Sequence, residues 1–120
     1  MGDKDELGRW GEQCAAAYLE RSGYAVLDRN WRCSEGELDL VVTRGANLVF
    51  VEVKTRRTAA FGHPLEAITA RKRSRLRRLA LAWTAAHEAE TRRLTLRVDA
   101  VCVLGSESDQ VEVEHLQDIA

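Results

Sequence analysis

The stretch that most constrains this chain of 120 residues is 36–56, which reads GELDLVVTRGANLVFVEVKTR. Two mostly apolar segments flank a break at residues 44–47, Arg-Gly-Ala-Asn. Glycine accepts the positive φ that a two-residue hairpin turn needs, so the break predicts a tight turn that pairs its first and last residues. The stretch is therefore predicted to be an antiparallel hairpin.

This register places acidic residues where a sheet would normally carry apolar ones. Asp39 falls opposite Glu52, and Glu37 falls opposite Lys54. Facing carboxylates repel each other in a sheet, and burial makes an uncompensated charge costly. A divalent cation between Asp39 and Glu52 removes the conflict, because Mg²⁺ binds one or two carboxylates together with waters and phosphate oxygens. The Val53 carbonyl is a candidate for a further ligand.

Lys54 follows Glu52 on the same predicted face, where it could orient or deprotonate a water and balance charge on a phosphate. The alternative is a solvated face on which Glu37 and Lys54 form an ion pair. Apolar residues on both faces favour the metal site, since they indicate strands covered on both sides. Val41 and Phe50 share the acidic face. The predicted opposite face consists of Leu38, Leu40, Val42, Val49, Val51 and Val53.

The arrangement of Asp39, Glu52 and Lys54 resembles the PD-(D/E)-x-K nuclease signature without its proline. A longer set of motifs resembles the bacterial YraN-like family over about residues 7–103. The motifs that carry this resemblance are Gly11-Glu12, Arg29-Asn30-Trp31, GELDLVV, VFVEVKTR, Phe61-Gly62 and the lysine of the following helix, Lys72.

The resemblance implies a restriction-endonuclease-like core, as in archaeal Holliday junction resolvases. It also implies a role for Glu12 as an extra metal ligand or a water holder. From helical geometry alone, an exposed Glu12 without such a role is an equally good interpretation. Junction resolvases act as dimers, so a homodimer is an open option. The resemblance does not specify which DNA structure is cut.

Two helices are predicted on either side of the strands. Residues 5–22 form the first helix, with an apolar stripe and, beside it, small residues that permit close approach to a sheet. The stripe consists of Leu7, Trp10, Cys14, Ala17 and Tyr18, and the small residues are Gly8, Gly11, Ala15 and Ala16. The second helix covers residues 70–87. Lys72 lies on its inward stripe, where it either extends to solvent or binds phosphate.

The second helix also carries the one concentrated basic patch, RKRSRLRR. Arg71, Arg75 and Arg78 share a face, which is either simply solvated or contacts a phosphate backbone. We favour the phosphate contact because this patch contains six basic residues and no acidic one, in a chain of net charge −1. Arg56, just beyond the hairpin, is a further candidate for a phosphate contact. The overall charge does not indicate a bulk nucleic-acid binder.

Composition argues against disulfide-rich, zinc-binding, secreted and membrane proteins. Three cysteines, Cys14, Cys33 and Cys102, are too widely spaced for a disulfide framework or a zinc pattern. The chain has no secretory signal and no apolar run of about 18 residues, so a cytoplasmic protein without a membrane segment is expected.

The predicted order is α-β-β-β-α-β-β. It gives a single α/β domain over residues 1–120, with three α/β/α layers around a mixed central sheet and a restriction-endonuclease-like core. The predicted function is Mg²⁺- or Mn²⁺-dependent endonuclease cleavage of DNA, on branched or single-stranded substrates in repair or recombination. Asp39, Glu52, Lys54, Glu12 and Glu37 form its predicted catalytic set. The alternative is a module that binds nucleic acid or protein without catalysis and retains the nuclease fold.

Overall fold

A computed structural model describes residues 3–58, 60, 62–106 and 110–120, with the side chains of residues 3 and 4 excepted. The predicted motif residue Phe61 lies outside these ranges. The helices are α1 (Asp3–Arg21), a 3₁₀ helix (Pro64–Ala67), α2 (Ala70–Ala86) and the short α3 (Glu88–Thr91). The strands are β1 (Ala25–Cys33), β2 (Gly36–Arg44), β3 (Asn47–Arg56), β4 (Thr95–Leu104) and β5 (Glu112–Leu116).

The five strands form one mixed sheet in the order β1-β2-β3-β4-β5. Strands β3 and β4 are parallel and are joined by the crossover that contains α2, whereas the other neighbours are antiparallel. Helix α1 packs on one face with a core that includes Val51 and Val101, and α2 packs on the other, where its Trp83 contacts Phe50 of β3. The predicted α/β fold and the order of its main elements are therefore confirmed; the 3₁₀ helix and α3 are short additions.

The hairpin turn forms as the sequence predicts. Gly45 has a φ of 59°. Arg44 pairs with Asn47, and the same register continues to the pair Leu40–Val51. Beyond that pair the two strands separate: β2 stays with β1 as far as Gly36, while β3 stays with β4 as far as Arg56. The sheet thus opens into a fork, and the carboxylates at positions 39 and 52 lie where it opens.

The pleat of β1 and β2 changes sides at this fork. Leu40 belongs to the core under α1, whereas Leu38 belongs to the core under α2, so the predicted common face of these two residues is wrong. Asn30, which lies between the pairs Arg29–Leu40 and Trp31–Leu38, has a φ of 51°. A left-handed residue interrupts strand alternation, and this explains the reversal.

The buried face of α1 consists mainly of its small residues. Ala15, Ala16 and Leu19 are fully buried, while Trp10 and Tyr18 of the predicted apolar stripe are only partly buried. Helix α1 approaches the sheet closely because of Gly11: a β-carbon there would lie 1.9 Å from Thr55 Oγ1 on β3. The sequence-based stripe therefore overestimates how deeply the larger side chains are buried.

Substitution of Gly11 by alanine is expected to destabilise the fold by about 1–3 kcal/mol, because overpacking must push α1 away from β3. The matched control is Gly8→Ala on the same helix, where an added β-carbon meets nothing within 4 Å. That control should be neutral or stabilising by up to about 1 kcal/mol through helix propensity. Thermal unfolding of both variants checks this, and equal melting temperatures would contradict the packing argument.

A buried polar network is centred on Asp99 in the middle of β4. Asp99 is fully buried and accepts two hydrogen bonds from Arg97 at 2.9 Å, one from His115 at 2.7 Å and one from the Asp118 backbone N–H at 3.0 Å. Arg97 also donates to the Tyr24 hydroxyl at 2.8 Å. These bonds lower the pKa of Asp99 despite its burial. Asp99 thus pairs with Arg97 within β4, and through His115 it joins β5 to the sheet.

Candidate metal and nucleic-acid site

The fork brings together the two carboxylates that the sequence places opposite each other. Asp39 is half-buried, and its Oδ2 accepts a hydrogen bond of 2.8 Å from the Val53 backbone N–H, a group that the divergence of β2 frees from the β2–β3 ladder. The Asp39 carboxyl is also hydrogen-bonded to Glu52. One carboxylate therefore replaces a strand partner at the fork and lies directly against the other.

Burial and the neighbouring charge of Glu52 raise the pKa of Asp39 to about 9, although the Val53 N–H favours its ionised form. Two adjacent carboxyls in a poorly solvated position can hold one proton between them, and this explains the hydrogen bond. A cation at the same position would replace that proton. The Asp39–Glu52 pair can therefore bind either a shared proton or a metal cation.

Lys54 places a positive charge beside the pair. Its Nζ lies 3.4 Å from Glu52 Oε2, and both side chains are mostly shielded from solvent. The Glu52–Lys54 arrangement agrees with the predicted common face of these two residues. The predicted position of Glu37 opposite Lys54 is wrong, because the β2–β3 register ends at the fork, and Glu37 Oε2 lies 2.6 Å from Arg32 Nε on β1. Reasoning from the hairpin alone overlooked β1, which stays paired with β2 beyond the fork.

Glu12 reaches the same region from α1. It is half-buried, hydrogen-bonded to the Asn30 side chain and close enough to Glu37 and Glu52 for their charges to act on it. Burial, followed by the charge of Glu37, raises the pKa of Glu12. Its proximity to the pair also contributes to the raised pKa of Asp39. The structure thus brings the predicted helical glutamate to the fork, and it adds Asn30 as the group that positions it.

The basic candidates are distributed around this end of the sheet. Arg75 extends along α2 to Gly36 at the start of β2, and Arg71 is exposed one turn earlier. Arg78 is paired with Glu35 at 3.0 Å. Arg56 is half-buried and donates to the Thr55 carbonyl.

Lys72 is half-buried near the start of α2, where Thr69 caps the helix. The structure thus leaves open both of its predicted roles, extension to solvent and phosphate binding.

The fork provides two carboxylates, those of Asp39 and Glu52, as ligands for a metal ion. Within the described ranges, no group of three or more His, Cys, Asp and Glu side chains is arranged to hold one. Mg²⁺ commonly binds one or two carboxylates and completes its shell with water and phosphate, so the donor set of Asp39 and Glu52 fits such an ion. The Val53 carbonyl stays a predicted further ligand.

The site lies within a region that a family model recognises. Residues 11–103 match the family described as "Uncharacterised protein family UPF0102". The chain belongs to this family. The UPF0102 match covers Glu12, both carboxylates of the fork, Lys54 and the basic helix, and it confirms the resemblance to YraN-like proteins.

Full-length relatives agree with this membership. A UPF0102 protein from Arthrobacter sp. is 52% identical over 119 residues, and one from Beutenbergia cavernae is 51% identical over 119 residues; each alignment covers 99% of both chains. A UPF0102 protein from Frankia alni is 50% identical over 117 residues, covering 98% of this chain and 96% of the relative. In the described part of this UPF0102 chain, no helix is both long and apolar enough to cross a bilayer.

Replacement of Asp39 by asparagine is expected to stabilise the metal-free protein at about pH 8 by about 1 kcal/mol, a few degrees in melting temperature. The folded carboxyl titrates at about 9 and the unfolded one near 3.8, so the folded state holds a proton that the unfolded chain has released between these values. Wild-type stability should therefore fall as pH rises through this window. Asparagine removes that loss.

Thermal unfolding in EDTA from about pH 5 to about pH 9 checks this expectation, since the wild-type and variant curves should diverge as pH rises. Glu112→Gln, which neutralises an exposed acid on the edge strand, is the control and should follow the wild type. A parallel pH dependence of Asp39→Asn and wild type would show that the carboxyl is not strained by its surroundings.

Proposed function

We propose that this UPF0102 protein is a metal-dependent endonuclease that hydrolyses phosphodiester bonds in DNA, of the PD-(D/E)-x-K type. The observation that carries the proposal is the Asp39–Glu52 pair, held at the fork by the Val53 N–H with Lys54 3.4 Å from Glu52. A chain that only had to fold would gain nothing from two facing carboxyls here. Their arrangement suits a hard divalent cation and a phosphate.

Asp39 and Glu52 would hold Mg²⁺ or Mn²⁺, which would supply Lewis-acid activation of the phosphate and of a water. Lys54 lies beside Glu52, so its ammonium can orient that water and balance the negative charge that grows on the phosphate oxygens as the water oxygen attacks phosphorus. The P–O bond on the far side breaks, the attacking water releases a proton to solvent, and the leaving oxygen takes up a proton from solvent.

Glu12 is suited to a supporting role in this reaction. Its carboxyl lies close enough to Glu52 for the two charges to interact, so it can hold a water beside the pair. Asn30 holds that carboxyl from β1. Glu37, paired with Arg32, would shape the charge around Glu12 rather than contact Lys54.

Cleavage is tested by incubating the purified protein with branched, single-stranded and duplex DNA in Mg²⁺ and in Mn²⁺. Glu52→Gln and Lys54→Met should each lower the rate by about a hundredfold or more, because each removes a group that acts directly at the phosphate or its water. Glu112→Gln is the matched control for Glu52→Gln and should cleave like the wild type.

Each other result has a definite meaning. Equal cleavage by all variants would identify a contaminating nuclease. Absence of cleavage on every substrate, with DNA still bound, would favour a binding module without catalysis. A melting temperature that Mn²⁺ raises in the wild type but not in Asp39→Asn would support the metal site independently of activity.

The exposed arginines of α2 are proposed to contact the phosphate backbone, because Arg75 extends to the strand that carries Asp39. The double variant Arg71→Ala/Arg75→Ala should weaken binding of a single-stranded 20-mer. It should also reduce the slope of log affinity against log salt by about 1.4, since each lost phosphate contact removes about 0.7.

The matched control for this pair is Arg92→Ala/Arg93→Ala. These two exposed arginines precede β4 and therefore lie at the opposite end of the sheet from Lys54. The control should leave the salt dependence unchanged. Equal slopes for the two double variants would show that α2 is an ordinary solvated helix face.

A further inference from the structure

A cleft of about 500 Å³ lies between the first turns of α1 and strand β1. Its volume falls within the roughly 300–1,000 Å³ of small-molecule sites. Glu6 and Arg9 contribute to its lining. The residues that matter for its chemistry are Trp10, Glu12, Gln13, Arg29, Asn30 and Leu40. The cleft thus combines an aromatic ring, a guanidinium and several hydrogen-bonding groups.

The cleft is continuous with the acidic site at the fork. Glu12 and Asn30, which are hydrogen-bonded to each other, line the cleft, and the charge of Glu12 acts on Asp39. Leu40, the neighbour of Asp39 in β2, also lines it. A ligand in the cleft would therefore lie beside the position at the fork where the proposed reaction attacks a phosphate.

Trp10 stands at the centre of a longer groove. A second depression of about 390 Å³ shares Trp10, Gln13 and Arg29 with the cleft and continues along α1 to Ala17 and Glu20. Trp10 is only partly packed against the core under α1, so part of its ring lines both spaces. A chain-like ligand could therefore pass Trp10 and Arg29 on its way to the fork.

We infer that this cleft binds one unpaired nucleotide of a DNA strand next to the phosphate at the fork, with its base on Trp10 and a phosphate on Arg29. The assignment of the strand as DNA rests on the proposed function. A tryptophan ring stacks on any base whose face is free, and arginine binds phosphate oxygens with two donors. Glu12, Gln13 and Asn30 provide donors and acceptors for the edge of the base or the sugar.

This geometry selects a class of substrate. In a continuous duplex each base is stacked between its neighbours, and a base must leave the helix before a side chain can stack on it. Single strands, flaps and branch points offer unpaired nucleotides without that cost. The protein is therefore expected to prefer single-stranded or branched DNA over intact duplex.

The test measures binding rather than cleavage. Fluorescence anisotropy in EDTA compares a labelled single-stranded 12-mer with the same sequence as a blunt duplex. Trp10→Leu should lower affinity for the single strand at least about fivefold, because loss of one base–aromatic stack has an effect of that size. Trp10→Phe keeps a ring and should stay within about twofold of the wild type, and duplex binding should change little in either variant.

Arg29→Ala should also weaken single-strand binding, whereas Arg93→Ala, the same change of charge at the other end of the sheet, should not. Thermal unfolding confirms that each variant is folded. Trp10→Leu that is folded and binds the single strand like the wild type would overturn the inference. An equal loss for single strand and duplex would overturn it as well.

A second measurement avoids substitutions altogether. A single-stranded oligonucleotide that carries 5-bromodeoxyuridine is photo-crosslinked to the wild-type protein, and the modified peptide is mapped by mass spectrometry. A crosslink in the α1 peptide at Trp10 supports the cleft, and crosslinks confined to other peptides overturn it.

The two proposals fail in different ways. Trp10-dependent binding without cleavage by the wild type in Mg²⁺ or Mn²⁺ would support nucleotide binding in the cleft and contradict the nuclease activity. The opposite result is metal-dependent cleavage that Glu52→Gln abolishes and Trp10→Leu leaves unchanged on every substrate. It would support the nuclease activity and contradict nucleotide binding in the cleft.

Discussion

The hydrogen bond from the Val53 N–H to Asp39 is the interaction on which the arrangement of the site depends. At this point β2 leaves β3, and a backbone donor that a sheet would normally satisfy with a carbonyl receives a side-chain carboxylate instead. The bond fixes Asp39 against Glu52, and the two carboxyls repel each other only when both are ionised. The backbone of the fork thus holds the pair together also when neither carboxyl carries a proton.

Both layers of helix contribute to this end of the sheet. Helix α1 brings Glu12 to the fork from one side, and α2 brings Arg75 to the start of β2 from the other. An acidic and a basic side chain thus reach this end of the sheet from opposite layers, in a chain whose net charge is −1. Under the proposed function, a phosphate backbone would bind a metal at the fork and arginines along its length.

The sequence predicted the parts of the fold that local rules determine. Gly45 and the alternation of β2 and β3 were sufficient for the hairpin register, and the spacing of apolar residues in α2 was sufficient for that helix. The change of face at Leu38 could not be predicted in the same way. It follows from the left-handed conformation of Asn30 on a neighbouring strand, and no periodicity within β2 records it.

The same limit applies to the site. Asp39, Glu52 and Lys54 were predicted together because all three lie on one hairpin. The Arg32 partner of Glu37 and the hydrogen bond between Asn30 and Glu12 depend on β1, whose position relative to α1 and β2 is a tertiary property. An asparagine within a predicted strand was the available signal, since asparagine adopts positive φ more readily than most residues.

The contact between Gly11 and Thr55 has a mechanical consequence for the residue that follows Gly11 in the chain. A rigid helix that rocks on a sheet turns about its point of closest approach, so displacement grows with distance from that point. Glu12 adjoins this pivot, whereas the C-terminal end of α1 at Arg21 is more than two turns away. Rocking of α1 about this point would therefore alter the width of the groove beside Ala17 and Glu20 while the Glu12 carboxyl keeps its place at the fork.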